Sequence, residues 1–68
     1  MDNEIYIIKR MPWEYDKLPE YYAGELKFTR NLYEINIFNS VDRASKVIQN
    51  IKKYDPEAKN YTFSITRM

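Results

Sequence analysis

The side chains most able to do chemistry crowd into residues 12 to 24, where Trp13, Tyr15, Tyr21 and Tyr22 are interleaved with the carboxylates Glu14, Asp16 and Glu20. Paired carboxylates act as general acid and base when their surroundings push their pKa values apart. Carboxylates on a polar connection among aromatics more commonly form a solvated surface. The usual activators are missing from the whole chain: it has no histidine and no cysteine, and its one glycine, Gly24, rules out a glycine-rich phosphate loop. Carboxylates are then the only ordinary metal ligands, and their spacing matches no metal site. The sequence predicts neither an enzyme nor a cofactor.

What this stretch suits is recognition. Trp and Tyr carry large contact areas at low entropic cost and dominate binding hot spots. Trp13, Glu14, Tyr15, Asp16, Glu20, Tyr21 and Tyr22 are therefore the predicted partner-binding residues, complementary to a basic protein surface. The alternative is that Trp13 and Leu18 fold back and cap a sheet. Both hold together if Trp13 is buried while Tyr15, Tyr21 and Tyr22 stay exposed. A second, basic surface is expected on a helix at Arg43, Lys46 and Lys53. Tyr6 with Arg10 on one strand face could stack an RNA base, although Phe28, Tyr33, Tyr61 and Phe63 read as core aromatics instead.

These residues need a scaffold, and length limits it. With 68 residues the chain reads as a single domain over 1–68, and a core of this size is marginal, because a chain of about 60 residues buries only roughly 60% of its unfolded surface. Without disulfides or a structural metal, stability must come from aromatic packing, for which seven Tyr, three Phe and one Trp are available, or from self-association as a homodimer. The formal net charge of +1 gives no general attraction to nucleic acid or to an anionic membrane. Residues 1 to 39 are net acidic and residues 40 to 68 net basic. No signal peptide or long apolar run is evident, so the expected location is the cytoplasm.

The most regular stretch is Ser40 to Tyr54. Val41, Ala44, Val47, Ile48, Ile51 and Tyr54 recur at three-and-four spacing and predict one buried helical face. Ser40 or Asn39 caps it, Asp42 suits its first turn and Lys52 and Lys53 its last, and Asp55-Pro56 stops it. Glu4 to Met11 and Asn60 to Met68 alternate as strands. Glu25 to Phe38 reads as a hairpin turning at Arg30-Asn31, pairing Phe28 with Tyr33, Leu26 with Ile35 and Lys27 with Glu34. Between the first strand and this hairpin the only regular structure expected is one helical turn from Pro19 to Gly24. The predicted fold is α+β, in the order β-β-β-α-β: a three- or four-stranded, mainly antiparallel sheet with the helix on one face, over Leu26, Phe28, Tyr33, Ile35, Tyr61 and Phe63. The last strand pairs with either the first strand or the hairpin.

Ile, Lys, Asn and Tyr are used heavily, and all four have AT-rich codons. In size and composition the chain resembles the small accessory proteins of bacteriophages that infect low-GC Gram-positive bacteria. That resemblance implies an anti-defence or host-takeover inhibitor, anti-CRISPR-like, which binds a larger host or defence protein in the host cytoplasm. The residues leave two other readings open: a dimeric nucleotide-sequestering module, with aromatic pockets and Arg10, Arg30 or Lys17 on the phosphates, and a nucleic-acid-binding module.

Overall fold

The computed structural model describes residues 4 to 14 and 16 to 68. Four strands, β1 (Tyr6–Pro12), β2 (Glu20–Gly24), β3 (Lys27–Thr29) and β4 (Tyr61–Arg67), form a sheet in the order β3-β2-β1-β4, and α1 (Val41–Tyr54) packs on one face. Every strand pairing is antiparallel, so the fold is α+β as the sequence predicts. The last strand joins the first. β1 and β4 pair without interruption from Tyr6–Arg67 to Pro12–Tyr61, which makes the Ile-rich β1 a central strand.

The pleat sorts side chains by face. Ile8 lies opposite Ile65, Arg10 opposite Phe63 and Tyr22 opposite Phe28, and these positions look toward the helix. Ile8, Tyr22, Ala44, Ile51 and Ala58 form the buried core, flanked by Phe28, Phe38, Val47, Ile48, Phe63 and Ile65. Aromatic packing supplies much of it: the Tyr22 ring meets Phe28 edge-on at 5.5 Å and stacks on Phe38 at 6.2 Å. Ile8 and Ile51 are the largest fully buried side chains, each contributing about 1.5–3 kcal/mol by removal from water.

The helix begins and ends as predicted. Ser40 sits in extended backbone and its hydroxyl oxygen accepts a hydrogen bond from the Arg43 N–H at 3.2 Å, satisfying one of the first-turn donors. At the other end the Asp55 N–H donates to the Ile51 carbonyl at 2.8 Å, and Pro56 prevents continuation. Replacing Ser40 with alanine is expected to cost about 1 kcal/mol, lowering the thermal midpoint by roughly 4–8 °C in a domain of this size; a calorimetric scan measures it.

The hairpin differs from expectation. It is formed by β2 and β3 around Gly24-Glu25-Leu26, with Tyr21 opposite Thr29, Tyr22 opposite Phe28 and a register shift between Tyr22 and Gly24. Three successive residues take positive φ there, Gly24 at 97°, Glu25 at 53° and Leu26 at 61°. A left-handed backbone is easiest for glycine, and the single glycine of the chain starts this turn. The Leu26 N–H also reaches the Tyr22 hydroxyl oxygen at 3.4 Å. The helical turn expected at Pro19 to Gly24 is therefore strand β2.

Arg30-Asn31 makes no hairpin. The Asn31 side chain accepts from the Tyr33 N–H at 3.0 Å and starts a 3-10 turn over Leu32–Glu34. Tyr33 is 99% exposed and Leu26 is exposed too, so neither lies beneath the helix. Glu34 accepts from Thr29 and Asn31 instead of facing Lys27. The chain then wedges between β1 and β2: Asn36 N–H donates to the Tyr22 carbonyl, and Tyr6 and Phe38 exchange both backbone hydrogen bonds, all at 2.8 Å. That wedge delivers Phe38 to the core in the place expected for Tyr33.

Candidate functional site

Residues 13 to 19 connect β1 to β2, and the sheet holds both ends of this loop. Arg10 and Glu20 are opposite one another in the β1–β2 ladder and join their side chains across the neck of the loop, with Arg10 Nε 2.8 Å and a terminal guanidinium nitrogen 2.6 Å from Glu20 Oε1. At the start of the loop Trp13 donates its N–H to the Asn60 carbonyl at 3.2 Å. A backbone turn follows, Lys17 N–H to Glu14 carbonyl at 3.1 Å. The loop is fixed at its base and projects from the end of the sheet beside the segment that leads into β4.

Apolar side chains are left outside by this arrangement. Trp13 is 73% exposed and Leu18 63%, so neither folds back to cap the sheet. Glu14 and Asp16 are exposed beside them, and Lys17 Nζ lies 3.7 Å from Glu14 Oε1 in a solvated pair. Pro12, Trp13, Glu14 and Lys17 face Glu57, Asn60 and Tyr61 across an open cleft of about 330 Å³.

The predicted binding residues divide into groups. Trp13, Glu14 and Asp16 share the exposed loop, whereas Tyr15 lies outside the described residues. Glu20 is drawn into the pair with Arg10, with Arg30 4.0 Å from its other oxygen. Tyr21, opposite Lys9 in β1, is half-buried on the sheet face away from the helix. Tyr22 is only 8% exposed and is a core residue, because the strand that replaces the expected helical turn points it at α1. On the helix, Arg43, Lys46 and Lys53 are all exposed. Arg43 borders a shallow pocket with Ile5 and Ile37, and Lys53 Nζ is 5.3 Å from the Tyr54 ring.

Arg10 has a role that the sequence reading did not assign. Its guanidinium lies between two rings, 3.8 Å from the centre of Phe28 and 4.0 Å from that of Tyr61, while Asp55 at the end of the helix approaches to 4.0 Å. One side chain thus ties β1, β2, β3, β4 and the helix terminus together under the loop. A cation between aromatic faces is attracted by both ring quadrupoles, and the ion pair with Glu20 fixes its orientation. The available signal was strand parity, which places Arg10 on the Ile8 face. With Glu20, Asp55 and two rings around it, Arg10 is not an open phosphate or base contact.

Among the described residues, no three carboxylates gather where a metal ion could be held, and no helix is long and apolar enough to cross a membrane. In comparisons with protein-family models, curated proteins and solved structures, the chain matches none.

Proposed function

We propose that this chain is a small non-enzymatic binding protein that docks on a larger protein through the loop of residues 13 to 19, with Trp13 as its anchor. The observation that carries this reading is an indole 73% exposed on a loop whose base is held by Arg10–Glu20 and by the Trp13–Asn60 hydrogen bond. Leaving Trp13 and Leu18 in water forgoes the stabilisation their burial would bring, about 1.5–3 kcal/mol for a large apolar side chain. A binding surface recovers it on docking. A rigid base reduces the ordering cost that a flexible loop would incur. Glu14, Asp16 and Glu57 around the apolar centre suit a partner with an apolar pocket rimmed by Lys or Arg.

The AT-rich composition and small size favour a phage-encoded inhibitor of a host or defence protein, of the anti-CRISPR kind. The nucleotide-sequestering alternative loses Arg10 to Glu20 and the rings. The cleft beside the loop offers Trp13, Tyr61 and Lys17, but Glu14 and Glu57 line it too and disfavour a phosphate.

The test is affinity capture from a low-GC Gram-positive host, comparing wild type with Trp13→Ala/Glu14→Ala/Asp16→Ala and with Arg43→Ala/Lys46→Ala/Lys53→Ala. The expected result is a protein retained by wild type and by the helix variant and lost by the loop variant. Equal recovery by all three rejects the loop as the site. A replacement at Tyr22 is unsuitable here, since it would report on the core.

A further inference from the structure

The two edges of the sheet are built differently. β3 is three residues long, begins with Lys27 and follows a register shift, devices that keep another strand from pairing. β4 is charged only at its last residue, Arg67, and is neither short nor irregular. It runs seven residues in unbroken register with β1, and from Tyr61 to Thr66 it contains no charge, proline or glycine. Met68 donates its N–H to Ile5, and Asn60 gives its carbonyl to Trp13, so the even-numbered residues of β4 turn their backbone groups toward β1. In an antiparallel ladder the alternate residues then point the other way. The N–H and C=O groups of Tyr61, Phe63, Ile65 and Arg67 face outward along the free edge.

We infer that this edge pairs with the same edge of a second copy, running antiparallel about a twofold axis at Ser64. That register is the one that matches all seven residues and sets outward-pointing groups against outward-pointing groups. On the helix side it brings Phe63 against Ile65 of the second copy, two half-buried side chains. On the other side Thr62 meets Thr66, and Ser64 meets itself. Arg67 arrives next to Tyr61, with its charge already answered by Glu4 at 3.0 Å. Within the strand ladder no like charges are opposed, as a self-complementary twofold contact requires.

The helix extends the contact. Lys52 Nζ lies 5.9 Å from the Phe63 ring, which identifies the helix flank above β4. Ile48, Ser45 and Val41 share that flank by helical spacing, and Val41 is 46% exposed. A second copy covers these residues with its own. The result is one continuous eight-stranded sheet with both helices on the same side.

Sedimentation equilibrium tests the inference, with paired variants on the exposed threonines. Wild type is expected to sediment at twice the chain mass. Thr62→Lys/Thr66→Lys and Thr62→Glu/Thr66→Glu, each placing like charges opposite one another, are expected to weaken the dimer at least tenfold. An equimolar mixture of the two variants should regain it, because opposite charges then face each other only in this register. A synthetic chain N-methylated at Ile65, which loses an outward donor but keeps the β1–β4 ladder, should also be monomeric. A wild-type monomer up to its solubility limit overturns the inference, and so does an N-methylated chain that still dimerises or a folded variant mixture that stays monomeric.

Discussion

Ile51→Ala is expected to remove about 2–5 kcal/mol of stability. Ile51 is fully buried on the core face of the last turns of the helix, and the residues clustered with it, Ile8, Tyr22 and Ala58, sit on different elements. They cannot all move to fill the space, so a cavity term adds to the lost transfer energy. A domain of 68 residues holds only about 3–10 kcal/mol in total. The variant is therefore expected to be partly unfolded at room temperature, whereas Ile51→Val loses only about 1 kcal/mol. Urea unfolding measures both, through a lowered midpoint at unchanged slope. A loss below about 1 kcal/mol for Ile51→Ala would mean that the core is not organised around this residue.

Arg10→Met is expected to cost about 2 kcal/mol, less than the 3–5 kcal/mol of breaking a deeply buried pair because both partners retain some contact with water. Methionine retains an unbranched apolar stem but removes the guanidinium from between Phe28 and Tyr61 and leaves Glu20 with only Arg30, at 4.0 Å. Glu20→Gln alone should cost less, since Arg10 keeps its two rings and Asp55. The double variant should be more stable than the sum of the two losses predicts, and the difference measures their coupling. Additive losses would show that Arg10 and Glu20 act independently and do not clamp the loop. Arg10→Lys tests geometry, because a compact ammonium cannot present the planar fork that reaches Glu20 while lying between two rings.

The helix was legible in the sequence almost to the residue. Its apolar stripe, the Ser40 cap and the Asp55-Pro56 stop are local signals, and all three agree. β1 and β4 were legible from alternation, but their mutual pairing was not, because alternation gives a face and no partner. The hairpin was misread for an instructive reason: Arg30-Asn31 yields a self-consistent register with apolar pairs inside and an opposite-charge pair outside. Backbone conformation decides against it, since the turn needs positive φ at three positions and the only glycine lies at 24. Tyr21 and Tyr22, between Pro19 and Gly24, looked like part of a helical turn and are strand residues paired to β1 and β3.

The candidate site was legible in part for the same reasons. Trp13, Glu14 and Asp16 follow Pro12 outside any regular element, and their exposure follows from that. Tyr22 could be removed from the site only once β2 was recognised, because its parity then points it at the helix. Arg10 was hidden because a charged residue in a strand reads as solvent-facing until the rings of Phe28 and Tyr61 are known to flank it.

The central claim, that the held loop is the contact surface, is tested most directly by the affinity of the captured partner for Trp13→Ala. A hot-spot aromatic contributes about 2–4 kcal/mol, so the dissociation constant should rise roughly 30- to 1,000-fold while the urea midpoint of the free protein stays at the wild-type value. An unchanged dissociation constant for Trp13→Ala, with binding lost instead in Arg43→Ala/Lys46→Ala/Lys53→Ala, would place the surface on the helix and contradict the account.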